Sequence, residues 1–270
     1  MDYKYQKYLS KYTTLLRQKG GADVTKIYRD GDDNPVVIVL SPQEGESIIP
    51  DGVRHLHQSL IPIDCETNMT TLSTSSGMSK YFGCFRKTTQ RPGGRGKFIN
   101  EVCDIKRDSQ RGLIWDTINS TADLFDSHGL IDASQPLNRE NHLVECHRYV
   151  ADDTKVSTPF ALHEDDQGGV DFNTYTAIYY LLRSEGIREE GGNFIFRVIN
   201  TRQKPSGRAP LDDITHTKGD TPYTWYKIPV ATGRIVLMRG DVEHTPEGIT
   251  HGSSGCRDSV VVQLERKRPS

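Results

Sequence analysis

The chain has 270 residues, with 34 lysines and arginines against 36 aspartates and glutamates, a formal net charge of −2 and 34% hydrophobic residues. That length accommodates one sizeable core with accessory helices, and the hydrophobic share, although on the low side, excludes a disordered chain. The near-balanced charge excludes global attraction to nucleic acid or to an anionic membrane, so either partner would need a local patch.

From the front, no apolar segment of signal-peptide type follows Met1-Asp2-Tyr3-Lys4-Tyr5, and the longest apolar run there is Val36 to Leu40. Neither secretion nor membrane spanning is expected. Tyr5, Tyr8, Leu9, Tyr12, Leu15 and Leu16 recur at helical spacing with lysines between them, and Gly20-Gly21 supplies a stop, which predicts an amphipathic helix with a core-facing aromatic stripe. The five cysteines, Cys65, Cys84, Cys103, Cys146 and Cys256, are odd in number and lack paired short spacing. They read as reduced thiols of an intracellular, cytoplasmic protein, with neither a zinc site nor a disulfide framework. The glycosylation sequons at Asn68 and Asn119 are incidental in that setting. Gln90 to Lys97 is basic and glycine-rich but lacks the spacing and the Ser or Thr of a phosphate-binding loop, so it reads as a flexible loop. Ile114, Ile118, Thr121 or Ala122, and Phe125 mark a second helix ending near Gly129, expected to pack on the outer face of the main sheet.

The remaining chain reads as strands. Leu143 to Val150 precedes the triplet His163-Glu164-Asp165, and His244 follows 81 residues after His163. A histidine and an aspartate at i and i+2 point to the same face of a strand, so both can reach one ion, and a second histidine from a distant strand completes three ligands on one side. Two imidazoles and one carboxylate with open positions form the ligand set associated with non-haem Fe(II) oxygenases. Glu164 and Asp166 fit the i, i+2 geometry less well and read as flanking or exposed residues. Tyr175 to Leu182 is an apolar strand; Gly191-Gly192 is a turn; Asn193 to Val198 is another β-rich segment. Asn200 to Thr224 is long and polar, of the kind that forms lids or binding loops, which makes Arg202, Lys204, Arg208 and the adjacent Trp225 candidate substrate contacts. Arg234 to Arg239 is a strand ending at Gly240-Asp241, with Val242 and His244 alternating onto one face, and the last strand runs from Arg257 to Leu264. His147 and Arg148 read as flanking a strand, with no catalytic role.

This order, from about Leu143 to Lys267, resembles the Fe(II)/2-oxoglutarate-dependent dioxygenases, particularly their prolyl-hydroxylase-like branch. The resemblance implies a mainly β fold with flanking helices, a double-stranded β-helix (jelly roll, cupin-like) whose open mouth holds iron. It also implies one oxygenase domain over 1–270, with 1–142 as support and lid and 143–267 as the core. The implied ligands are His163, Asp165 and His244, and Arg257 would hold the far carboxylate of 2-oxoglutarate through a two-pronged salt bridge. Ser259, on the same face, and Tyr149, on the strand before the triplet, would contact that carboxylate as well. His244 and Arg257 are thirteen positions apart, a longer interval than the family pattern, and His251, six before Arg257, is the alternative ligand. Thr250 to Gly255 reads as a turn, which would put His251 at a hairpin tip and His244 at ligand depth.

The implied activity is hydroxylation of an unactivated C–H bond with Fe(II), 2-oxoglutarate and O2, yielding succinate and CO2. Its substrate would be a peptidyl prolyl or lysyl residue or a small amino-acid-like metabolite. A carboxylate at 165 argues against the halogenating variants of the family, in which a halide takes that place. The competing readings are a nucleobase-oxidising dioxygenase, which would need a stacking pocket for a flipped base, and a non-catalytic jelly-roll metal-binding module.

Overall fold

Two antiparallel sheets face each other in the computed structural model, which describes residues 24–43, 47–61, 79–87, 111–131, 137–150, 162–165, 174–183, 192–199, 223–247 and 256–266. The strands are β1 (Val24–Arg29), β2 (Pro35–Ser41), β3 (Ser79–Lys87), β4 (Leu137–Val150), β5 (Thr174–Arg183), β6 (Phe194–Ile199), β7 (Tyr223–Ile228), β8 (Ile235–Arg239), β9 (Glu243–Pro246) and β10 (Cys256–Arg266). The large sheet has the order β1-β2-β8-β5-β10-β4-β3 and the small one β7-β6-β9. The short segment at His163 adds to the edge of the small sheet by a bridge to His244 in β9.

The winding explains the shape. From β4 onward the pairs are β4 with β10, the His163 segment with β9, β5 with β8, and β6 with β7. First pairs with last and so on inward, which is a single long hairpin folded at the β6–β7 connection and rolled so that its two arms are shared between the sheets. That is the double-stranded β-helix the sequence predicts. The strands expected within 143–264 all appear within a few residues of their predicted bounds.

The run Val36 to Leu40, to which sequence reading assigned no element, lies in β2 between β1 and β8. Its near-continuous Val-Ile-Leu character fits a strand buried on both faces. Val37 and Val39 join Ile178, Tyr180, Phe194, Phe196, Val236 and Met238 in the core between the sheets. Ile38 and Leu40 point the other way, into a second core beneath two helices, α1 (Asp51–Leu60) and α2 (Arg111–His128).

Helix α2 buries Ile114, Thr117, Ile118, Thr121, Ala122 and Phe125, the i, i+3, i+4, i+7 stripe of an amphipathic helix, against Tyr175, Ala177 and Tyr179 of β5. Thr121 adds a 2.7 Å hydroxyl contact to Tyr179. The helix stops at Gly129, whose φ of 66° is the left-handed conformation that favours glycine. The predicted outer-face helix is therefore present. The predicted helix at Tyr5–Leu16 and the loop at Gln90–Lys97 lie outside the described residues.

One expectation is corrected. Cys256, read from spacing as a reduced thiol, is disulfide-bonded. An odd cysteine count excludes full pairing and says nothing against a single bond, so the thiol argument for an intracellular setting falls. Cys146 is a free, buried thiol, and burial pushes its pKa well up, which makes it inert. Among the described residues no helix is long and apolar enough to cross a membrane.

Asp258 of β10 is fully buried on the helix-facing side of the large sheet. Arg148 of β4 donates to both of its oxygens, Nε to Oδ1 and Nη2 to Oδ2, each at 2.7 Å, and His57 of α1 meets Oδ2 at 2.9 Å. Burial alone would raise the carboxyl pKa, but the hydrogen bonds and charges of Arg148 and His57 outweigh it and hold it below the usual range. Asp258→Asn leaves a buried guanidinium without its countercharge and should cost about 3–5 kcal/mol in urea unfolding at neutral pH. Because the folded pKa is depressed, the wild-type contribution is complete above the unfolded value near ~4 and is lost as pH falls through the folded value. The variant should lack that acid limb.

Candidate functional site

The bridge between His163 and His244 is reciprocal: His163 N donates to His244 O at 3.1 Å and His244 N to His163 O at 2.9 Å. A hydrogen-bonded antiparallel pair sets its two side chains beside each other on one face, and here the ring centroids are 4.4 Å apart. Asp165, two residues after His163, completes the group. His163 Nε2 lies 3.8 Å from Asp165 Oδ1, and His244 Nε2 lies 3.9 Å from Asp165 Oδ2. One ligand atom from each of the three falls within 4.8 Å of the others.

Two of the three side chains, His244 and Asp165, are held in orientation. His244 Nδ1 is 3.0 Å from the carbonyl of Val242, so the proton belongs on Nδ1 and the Nε2 lone pair is left for a ligand bond. Burial, followed by repulsion from His163, lowers the His244 pKa against the opposing pull of Asp165 and the Val242 carbonyl, keeping the ring neutral. Thr176 of β5 donates its hydroxyl to Asp165 Oδ2 at 2.5 Å, fixing the carboxylate plane. The Gly240-Asp241 turn leading into β9 is fixed as well: Gly240 N donates to Thr174 O at 2.7 Å, and a Cβ at 240 would come within 2.8 Å of that oxygen. Arg239 clamps the same turn through Asp241 at 2.8 Å and Asp30 at 3.2 Å. Two imidazoles and one oriented carboxylate on one side could hold a divalent first-row metal, and among the described residues no fourth His, Cys, Asp or Glu joins them.

These residues line a cavity of about 250 Å3 between the sheets, and Arg257 and Ser259 line it too. Arg257 is only 2% exposed; it donates to the carbonyl of Gly192, and its guanidinium carbon is 5.9 Å from the ring centroid of Tyr180. Tyr180 also faces the cavity. Burial pushes its phenol up to about 12 despite the opposing fields of Arg257 and Arg234, so it is a neutral hydroxyl donor. A buried cation with a phenol and a serine hydroxyl beside it is a receptor for a carboxylate.

The cavity thus gathers His163, Asp165, His244, Arg257 and Ser259. Tyr149 is the cross-strand partner of Arg257 in the β4–β10 ladder; only its backbone belongs to the described part. Trp225 does not line the cavity. Its register partner is Arg197, whose guanidinium is 5.3 Å from its ring, whereas the neighbouring Phe196 and Tyr226 face the core between the sheets. His251, Arg202, Lys204 and Arg208 lie outside the described residues.

Sequence reading missed Thr176, Tyr180, Glu145 and His147, all on the cavity wall. His147, read as a residue flanking a strand, is inside β4 with its ring 2.9 Å from Glu145, and Arg148 is the buried partner of Asp258. The i, i+2 rule that joins Ser259 to Arg257 carries the signal: extended from Tyr149 back along β4 it reaches His147 and Glu145, and along β5 it joins Thr176, Ile178 and Tyr180.

No protein-family model matches the chain, and no curated protein does. Solved structures similar to it include a prolyl 4-hydroxylase from Phytophthora capsici, at 14% identity and a TM-score of 0.35 over 58% of this chain. This chain spans 42% of the length of that structure. A prolyl-4-hydroxylase from Pseudomonas putida aligns at 13% identity and a TM-score of 0.38, over 81% of this chain and 88% of that one. HygX from Streptomyces hygroscopicus, with nickel and 2-oxoglutarate bound, aligns at 12% identity and a TM-score of 0.42, over 87% and 83%. The fold assignment rests on this chain's own strand order and pairing.

Thr176→Val keeps the shape of a buried side chain and removes the hydroxyl that orients Asp165. Metal affinity, followed by Co(II) titration of the full chain, should fall roughly 10- to 100-fold with the fold unchanged by circular dichroism. Unchanged affinity would show that Asp165 needs no such support.

Proposed function

We propose that the chain is an Fe(II)- and 2-oxoglutarate-dependent oxygenase, one domain across its length, that hydroxylates an unactivated C–H bond with succinate and CO2 as co-products. The observation that carries this reading is the placement of three metal-ligand atoms within 4.8 Å of one another on the wall of a cavity that also holds the buried Arg257. A metal-binding module without catalysis has no use for a buried carboxylate receptor in the same cavity.

His163, Asp165 and His244 would hold the iron from one side, leaving positions for the co-substrate and for O2. Bound iron and 2-oxoglutarate together supply dioxygen activation and removal of a hydrogen atom from the substrate. The chain's own residues bind and orient. Arg257 takes the far carboxylate of the co-substrate with the two parallel N–H groups of its fork, and Ser259 and the neutral Tyr180 phenol add hydroxyl donors to the same group. With that end fixed, the keto acid end can approach the metal in one orientation only. Ile178, Phe194 and Val261 supply the apolar part of the wall and limit water around the reacting atoms. A peptidyl prolyl or lysyl residue or a small amino-acid-like metabolite is the proposed substrate range.

Anaerobic addition of 2-oxoglutarate to the Fe(II)-loaded protein should produce a visible metal-to-ligand charge-transfer band. Bound iron without a band would remove the co-substrate from the reading. His163→Ala and Asp165→Ala should abolish succinate formation while the fold stays intact, and wild-type turnover in either pure variant would refute the triad. Arg257→Lys keeps the charge and loses the fork, so 2-oxoglutarate affinity should fall about tenfold or more, by the loss of a charge-assisted bond worth roughly 1.5–3 kcal/mol.

A further inference from the structure

Most polar side chains on the cavity wall already have a task. His163, Asp165 and His244 converge on one another, Thr176 gives its hydroxyl to Asp165, and Glu145 and His147 meet at 2.9 Å. Arg257, with the Ser259 and Tyr180 hydroxyls beside it, forms the carboxylate receptor. Gln263 stands apart. It lines the same cavity, and among the described residues its carboxamide makes no hydrogen bond. Leu143 beside it on β4, Val261 two residues back on the same face of β10, and Ile178 of β5 are apolar. A primary amide in that company carries a donor and an acceptor that nothing in the wall satisfies.

The ladders place that amide beside the metal ligands. Gln263 is the cross-strand partner of Thr176, whose hydroxyl holds Asp165 at 2.5 Å. Directly opposed residues of an antiparallel pair have Cα atoms about 5 Å apart, and a glutamine side chain spans a similar length, so the amide reaches the space in front of the ligands. Ser259 is four residues away along β10, about 13 Å, and Arg257 six, about 20 Å. The carboxylate receptor therefore occupies one end of the inner face of β10 and Gln263 the other, and the metal ligands stand at the Gln263 end. With its far carboxylate at Arg257, the co-substrate approaches the metal from the receptor end. Gln263 faces the remaining side, where a second molecule has to enter.

The two functions of the amide define the partner, since Oε1 accepts and Nε2 donates. An ammonium group donates only and a carboxylate accepts only, so either leaves one function of Gln263 desolvated and unpaired among apolar neighbours. A hydroxyl, with both functions on one atom, meets one of them at a time. An amide with its N–H and C=O on one side satisfies both at once, its oxygen accepting from Nε2 and its N–H donating to Oε1. We infer that Gln263 is a specificity-determining contact of the primary substrate, which it holds by an amide group adjacent to the carbon that reacts. This rests on the oxygenase reading and narrows its substrate range to molecules that carry an amide, a peptidyl residue among them and a free amino acid not.

The test uses the full chain loaded with Zn(II) and 2-oxoglutarate, titrated by ligand-observed NMR with pentanamide and, separately, with its isostere 2-hexanone, which keeps the carbonyl and replaces the NH2 by a methyl group. Wild type should bind the amide at least about fivefold more tightly than the ketone, and Gln263→Leu should bring the two to parity while 2-oxoglutarate binding stays at the wild-type level. Equal binding of amide and ketone by wild type, or no measurable binding of the amide, overturns the inference, as does a preference that survives in Gln263→Leu. A loss of 2-oxoglutarate affinity in that variant overturns it too, because Gln263 would then be a contact of the co-substrate. Failure of wild type to bind 2-oxoglutarate in the same samples overturns the oxygenase reading and this inference with it, which separates the two outcomes.

Discussion

The reciprocal backbone bridge between His163 and His244 is the constraint on which the site depends. Residues 81 apart in sequence meet there because the β-helix is a rolled hairpin, in which the second segment must pair with the seventh. The two imidazoles are thus placed beside each other by main-chain hydrogen bonds before any side chain contributes. A one-residue slip in that pairing would turn one imidazole away from the other, because strand side chains alternate faces. The Gly240-Asp241 turn prevents such a slip: the close approach of Gly240 to Thr174 sets where β9 begins. Thr176, two residues further along β5, then reaches Asp165. Register and ligand orientation are set by neighbouring residues of one strand.

Strand β10 carries the second requirement, and it does so by having two different faces. Asp258 points outward into a buried cluster with Arg148 and His57, tying β10 to β4 and to α1. Arg257 and Ser259 point inward to the cavity. The buried ion pair stabilises little by itself, since desolvation offsets most of its Coulomb energy, but it penalises any register that separates its members. The irregularity in the β5–β10 ladder falls between Asp258 and Ser259, where β10 is held from behind by that cluster. Arg257 is therefore positioned by a neighbour on the opposite face that does not line the cavity.

Much of this was legible in the sequence, for definable reasons. Val, Ile and Tyr runs bounded by Gly and polar residues located β5, β6, β8 and β10, and the i, i+2 rule brought His163 to Asp165 and Arg257 to Ser259. The helix at 111–128 followed from its apolar stripe. Harder to read was whatever depends on pairing between distant strands. Nothing local in Val36–Leu40 says that it completes the large sheet, and His147, which faces the cavity, is told from Arg148, which faces the helices, only through its i, i+2 relation to Tyr149, the ladder partner of Arg257. That difference is one of parity relative to β10, which only the ladder defines. Cysteine arithmetic failed on Cys256 for a related reason, since pairing is a property of spatial proximity and not of count.

Three carboxylates in this molecule show how environment and not residue type assigns a role. Asp258, at 0% exposure with a guanidinium clamped on both oxygens, is committed to the fold, and its depressed pKa keeps it ionised at neutral pH. Asp165 has a hydroxyl on one oxygen and two imidazoles within 4 Å, none of which brings a fixed positive charge, so its charge remains available to a metal. Glu145 lies 2.9 Å from the His147 imidazole and lines the cavity. A fixed cation as partner satisfies a carboxylate within the protein, whereas neutral or titratable partners orient it and leave its field directed at whatever enters.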